Sequence, residues 1–125
     1  MTAWKIETSE EFDEWWTGLD AETQEELAVV IGLLSQDGPN LPRPYADKLR
    51  ASRIDLRELR KNVYDRMNRK HVYRVLYAFD PRRNVFVCLG GDKAGHDRWY
   101  ERNIPRAEAI FARHLESLGA DTEDG

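Results

Sequence analysis

Two runs rich in β-branched and aromatic residues, Val72 to Phe79 and Val85 to Leu89, are separated only by Asp80-Pro81-Arg82-Arg83-Asn84. Strands joined by so short a loop must pair antiparallel, because a parallel pair needs a crossover of about a dozen residues or more. Pro and Asn within the loop favour a turn. A third run, Ile54-Asp55-Leu56-Arg57-Glu58-Leu59-Arg60, comes just before, so the middle of the chain predicts a three-stranded antiparallel meander.

The N-terminal third has a different period. Trp4 and Ile6 alternate with Lys5 and Glu7, which predicts a short first strand. Thr8 with Glu11 three residues on reads as a capping box, ahead of a helix that buries Phe12, Trp15, Trp16 and Leu19. Asp20 caps a second helix through Leu27, Val30, Ile31 and Leu34, which Asp37-Gly38-Pro39 ends. From Asn40 to Arg53 the expectation is irregular chain, since Pro42 and Pro44 exclude a long helix. After Gly90-Gly91 a polar stretch leads to His96, then to a closing helix in which Ile104, Phe111, Leu115 and Leu118 pack and Pro105 sits in the first turn. The sum is an α+β fold of 125 residues: one domain over 1–118 and an unstructured acidic tail over 119–125. The helical hairpin should cover one face of the sheet and leave the other face, or a rim, open and basic.

The net charge of −4 conceals an uneven distribution. Residues 1–40 hold one basic side chain, Lys5, against ten acidic ones, whereas residues 41–118 hold eighteen basic and ten acidic. Between Lys48 and Arg74 alone there are ten bases against Asp55, Glu58 and Asp65, a concentration suited to a phosphate backbone. No signal peptide and no apolar stretch near ~20 residues is present, so a cytoplasmic location without a membrane partner is expected. The single Cys88 lies in an apolar run and reads as a buried, inert thiol.

Within the strand Val72-Tyr73-Arg74-Val75-Leu76-Tyr77, the two-residue period places Arg74 on a face with Val72 and Leu76. A guanidinium there must find an anion, either a carboxylate such as Glu58 or a substrate phosphate. Gly90-Gly91-Asp92-Lys93-Ala94-Gly95-His96 follows a strand directly, with glycines that would let backbone approach a ligand. It supplies a cation, Lys93, and an imidazole, His96, close in sequence to Tyr100. No metal-ligand spacing joins His71, His96 and His114, and neither a metal nor another cofactor is expected.

The segments Leu56-Arg57-Glu58-Leu59-Arg60 and Val72-Tyr73-Arg74-Val75-Leu76-Tyr77, with a following strand that ends in Gly-Gly-Asp-Lys and a terminal helix, resemble the RelE/ParE toxin superfamily, in its HigB-like, phage-associated branch. The likeness runs from about Leu41 to Leu118. It implies a RelE-like fold and the toxin of a type II toxin–antitoxin pair: a ribosome-dependent, metal-independent mRNA endoribonuclease in which a ribose 2′-hydroxyl attacks the adjacent phosphate. The implied partners are a helix-turn-helix antitoxin, in an oligomeric complex, and the ribosome with its mRNA. Carried onto this chain, Arg74 and Lys93 stabilise charge, Tyr100 or His96 moves a proton, and Arg57, Arg60 and Lys61 contact substrate. Where the RelE branch often carries lysines this chain has Leu56 and Glu58, the latter suited to pair with a neighbouring arginine. The same superfamily holds ParE-like, non-enzymatic gyrase inhibitors, which is the alternative activity; a nucleic-acid-binding module without toxicity is a third.

Overall fold

The computed structural model describes residues 3–124, with side chains described through Gly119. Five strands, β1 (Ile6–Thr8), β2 (Ala46–Lys48), β3 (Arg57–Tyr64), β4 (Lys70–Phe79) and β5 (Val85–Asp92), form one sheet in the order β1-β5-β4-β3-β2. The β3-β4-β5 meander and the β2 edge are antiparallel, while β1 lies parallel to β5 with Ile6 opposite Val85. Helices α1 (Glu10–Thr17) and α2 (Ala21–Asp37) follow β1, and α3 (Trp99–Asp124) closes the chain. The acidic tail expected over 119–125 falls almost wholly on residues whose side chains lie outside those described.

The alternation read from the sequence of β4 holds in three dimensions. Val75 and Tyr77 pack with Phe12, Val30 and Leu34 of the helical hairpin, and Leu76 and Ala78 pack on the opposite side. That second side is not open. Leu56, Leu76, Phe86, Cys88 and Leu89 are covered by Trp99, Ile104, Ala107, Ile110 and Phe111 of α3. The expectation of a free basic face is therefore corrected: two helical layers enclose the sheet, because the apolar residues of β3, β4 and β5 point both ways and each set needs a cover.

The local expectations need smaller corrections. Ser9, not Thr8, caps α1, accepting from Phe12 N at 3.0 Å, and its own hydroxyl donates to the Cys88 carbonyl. Asp20 caps α2 as expected, accepting from Thr23 N at 2.8 Å. The first meander strand begins at Arg57 rather than Ile54, since Glu108 of α3 accepts from Ser52 Oγ at 2.8 Å and from Arg53 N at 2.6 Å and holds that stretch as a loop. The segment expected to be irregular contains β2, paired with Arg57, Glu58 and Leu59. Because α3 starts at Trp99, Pro105 lies in its second turn, and Leu115 is exposed.

One irregularity positions the site. Leu76 pairs with Leu89 and Tyr77 with Val87, so Cys88 is an extra residue in β5 and the strand carries a bulge. Cys88 and Leu89 consequently share the α3 face, and the alternation beyond them is inverted. Gly90 then meets the Trp15 ring on the hairpin side and Gly91 the Trp99 ring on the α3 side; a Cβ on Gly91 would stand 2.8 Å from Trp99. These glycines admit two tryptophans rather than a ligand, which corrects the role expected of them.

Candidate active site

The pairing of β3 with β4 sets Arg60 directly opposite Arg74 on the face that α3 covers. Like charges so placed repel. Glu58, two residues from Arg60 and therefore on the same face, resolves the conflict: its Oε1 lies 2.8 Å from Arg60 Nε and 3.9 Å from Arg74 Nε. The carboxylate is 1% exposed and Arg74 is 9% exposed, so this is charge held inside the protein. Of the two anions open to Arg74 in the sequence, the carboxylate is present; it leaves the guanidinium only partly engaged, with Nη1 on the Tyr73 carbonyl at 2.9 Å.

Tyr100, in the first turn of α3, completes the cluster. Its hydroxyl donates to Glu58 Oε2 at 2.7 Å and accepts from Arg74 Nε at 3.3 Å. Burial and the hydrogen bond to Glu58 push its pKa above the ordinary tyrosine range, so the phenol keeps its proton near neutral pH. Lys93 places its ammonium 4.9 Å from the centre of the Tyr100 ring. Burial, followed by the charge of Arg74, lowers the Lys93 pKa and makes it a readier proton donor. Glu58 conversely holds the Arg60 pKa up. An apolar groove of about 630 Å³, flanked by Ile54, Ile104 and Pro105, opens beside Tyr100.

Four of the residues singled out in the sequence, Arg60, Arg74, Lys93 and Tyr100, thus converge around Glu58. The other three do not join them. Arg57 and Lys61 have the opposite parity on β3: Arg57 stacks over Phe79 at 5.3 Å, and Lys61 pairs with Glu26 of α2 at 3.2 Å. His96 is exposed in the turn before α3 and borders a different cleft with Arg98, Arg102 and Arg106.

Sequence reasoning missed a support beside the site. His71, at the start of β4, lies between two carboxylates, with Nδ1 2.7 Å from Asp92 and Nε2 2.8 Å from Asp65. Asp65 and Asp92 both raise the His71 pKa, and hydrogen bonds from the Arg69 backbone and from His71 hold Asp65 down at about 2. Asp92 Oδ1 also accepts from Val72 N and Ala94 N, at 2.9 and 3.0 Å. The end of β5 is thereby tied to the β3–β4 turn, which fixes the backbone that carries Lys93. His71 and Asp65 are six residues apart, but Asp92 reaches them only through strand pairing, so no local spacing announces the trio.

Elsewhere, burial pushes the Cys88 thiol up to about 12, in keeping with an inert core residue. Among the described residues, Glu7, Asp80 and His114 bring three possible ligand atoms within 4.8 Å of one another. Their polar atoms already serve the fold: Asp80 accepts from His114, Arg82 N and Asn84 N, and Glu7 accepts from Arg82 and Asn84.

Comparison with known proteins agrees with this architecture. Residues 14–112 match the family model described as phage-derived protein Gp49-like. The chain is 38% identical over 108 residues to "Putative toxin HigB2" of Mycobacterium tuberculosis, covering 85% of this chain and 52% of that protein, so it spans about half the length of that relative. It is also 38% identical over 98 residues to "Putative toxin HigB3" of the same organism, covering 77% of this chain and 80% of the relative. The free-state structure of an Escherichia coli toxin RelE mutant superposes with a TM-score of 0.54 at 18% identity, over 79% of this chain and 93% of RelE, a likeness of fold. The chain accordingly belongs to the Gp49-like family of HigB/RelE-type toxins and carries the RelE-like fold.

Proposed function

We propose that the protein is the toxin of a type II toxin–antitoxin pair and an mRNA endoribonuclease acting on the ribosome, with a helix-turn-helix antitoxin as its partner. The observation that supports this best is the cluster of Glu58 and Tyr100 between three cations, Arg60, Arg74 and Lys93. Strand scission by an internal nucleophile needs a group to take the 2′-hydroxyl proton, a group to protonate the leaving oxygen, and positive charge for the pentacovalent phosphate. Tyr100 can accept the 2′-proton while passing its own to Glu58, the hydrogen bond for that transfer being formed already. The 2′-oxygen then bonds to phosphorus, the bond to the 5′-oxygen breaks, and Lys93 protonates the departing oxygen, leaving a 2′,3′-cyclic phosphate and a free 5′-hydroxyl. Arg74, held from below by the Tyr73 carbonyl, offers its remaining N–H groups to the phosphate oxygens. Tyr100 is preferred to His96 for the proton because it is already hydrogen-bonded to Glu58 and Arg74.

The test is brief expression of the wild-type chain and of the Arg74→Ala/Lys93→Ala variant in cells, with mRNA 5′ ends mapped and growth followed. Clustered cuts within translated frames and growth arrest are expected for the wild type, and neither for the folded double variant. A folded double variant that stays fully toxic would refute the site. DNA damage with intact mRNA would replace the nuclease by the ParE-like inhibition of gyrase, and unaffected growth would leave a non-toxic binding module.

A further inference from the structure

Arg98, immediately before α3, and Arg102 and Arg106, within its first turns, lie four residues apart and line one cleft of about 630 Å³ with His96 and Asn103. Four residues of helix rise ~6 Å, so the three guanidinium groups form a ladder along one side of the helix. The rest of the molecule shows how unusual they are. In this acidic chain Arg43, Arg57, Arg60, Arg66, Arg69, Arg74, Arg82 and Arg113 each have a carboxylate within 4.0 Å. Among the described residues the ladder arginines have none within that distance; Arg106 donates to the Asn103 amide oxygen at 2.9 Å, and at longer range its charge helps to lower the pKa of Glu11, whose ion pair is with Arg113. The other arginines without a carboxylate lie in loops, Arg50 and Arg53 between β2 and β3 and Arg83 between β4 and β5.

Three like charges at successive i, i+4 positions repel one another and destabilise the helix that carries them. A chain with 23 carboxylates had ample means to neutralise them. The acids at this cleft do not: Asp92 is engaged by His71, and Asp97, at the mouth, makes no ion pair with Arg98 within 4.0 Å among the described residues. Two residues that line the cleft, Asp92 and Trp99, directly precede Lys93 and Tyr100 of the active-site cluster in the chain.

We infer that the Arg98–Arg102–Arg106 ladder binds the phosphate backbone of a single RNA strand as it leaves the reaction site. The inference rests on the nuclease reading above and names the path of its substrate. Guanidinium groups at regular intervals suit an anion repeated along a strand, and they bind it without regard to base. A strand whose reacting phosphate sits between Arg74 and Lys93 would continue along the first two turns of α3.

The test is fluorescence anisotropy with a labelled single-stranded oligouridylate of about 15 nucleotides, titrated with the full chain over a range of salt. Each phosphate contact adds ~0.7 to the slope of log affinity against log salt for single strands. The triple Arg98→Ala/Arg102→Ala/Arg106→Ala variant should lose about 2 from that slope and bind about tenfold more weakly at low salt. The triple lysine variant, which keeps the charge, should retain most of the slope, and Arg113→Ala, whose arginine is paired with Glu11, should leave it unchanged. If the triple alanine variant does not fold, single substitutions should each remove about one third of the effect. A folded triple variant with the wild-type slope overturns the inference, as would loss of binding to an acidic protein partner with the RNA slope intact. A wild-type chain with a ladder-dependent slope that cuts no mRNA would keep the ladder and remove the nuclease.

Discussion

Tyr100 donates its hydroxyl proton to Glu58 at 2.7 Å, joining the first turn of the last helix to the second residue of β3. The bond holds a tyrosine, a buried carboxylate and Arg74 in one network, and α3 must dock on the sheet before it can form. Removing the hydroxyl alone isolates its chemical role. Tyr100→Phe keeps the ring under Lys93 and against Trp99. It should cut mRNA cleavage in a reconstituted translation reaction by about 10²- to 10⁴-fold, the usual worth of a positioned proton-transfer group, while the melting temperature moves by only a few degrees. Cleavage within threefold of wild type, a ratio worth only ~0.7 kcal/mol, would remove Tyr100 from the chemistry.

Glu58 is the only carboxylate among the described residues that lies within 4.0 Å of Arg74. Glu58→Ala leaves Arg74 without a carboxylate and Arg60 with Asp47 alone, at 3.4 Å, and should destabilise the fold by about 3 kcal/mol or more, since breaking a buried ion pair strands the remaining charge. Glu58→Gln keeps the acceptor for Tyr100 and should cost less. Urea unfolding at neutral pH gives both values, and equal stability of Glu58→Ala and wild type would contradict the arrangement.

The Asp65–His71–Asp92 trio makes stability depend on pH. Asp65 and Asp92 raise the folded-state pKa of His71 above its ordinary 6.5. Protonated His71 therefore stabilises the fold fully below that value, and the contribution disappears as pH rises through the folded-state pKa. Asp65 acts at the other end: held at about 2 against an ordinary 3.8, it contributes above 3.8 and loses its effect as pH falls toward 2. Thermal melts at about pH 6 and about pH 9, on either side of the histidine range, should show the wild type losing more stability between them than His71→Gln. Parallel curves for the two proteins would show that the clamp carries no linkage.

Gly91→Ala should act on stability and activity together. Its Cβ would meet the Trp99 ring at 2.8 Å, and Trp99 is the residue before Tyr100. Overpacking of this kind costs typically ~1–3 kcal/mol, and any shift of Trp99 moves the tyrosine hydroxyl from Glu58. A calorimetric melt with a parallel cleavage assay should show both fall. A variant with unchanged melting and unchanged cleavage would mean that the ring is free to move aside.

Much of this protein is determined locally and was legible in the chain. The loop Asp80–Asn84 forces β4 and β5 antiparallel, the two-residue period of β4 separates Arg74 and Leu76 from Val75 and Tyr77, and Asp20 and Gly38 bound α2, because each depends on steric and hydrogen-bonding preferences within a few residues. The ion pair between Glu58 and a neighbouring arginine follows from the same period. Period alone misplaces Lys93: strict alternation from Val85 would put it with Val87 on the hairpin side. The bulge at Cys88 inverts the pattern, seating Gly91 against Trp99 and bringing Lys93 over Tyr100. Nothing local demands an extra residue there. It is fixed by the Ser9 hydroxyl on the Cys88 carbonyl and by two helical layers packing on opposite faces of one sheet. The docking of α3 decides the rest, covering the face that local patterning leaves open and bringing the Tyr100 hydroxyl to Glu58, a contact that exists only when sheet and helix are folded together.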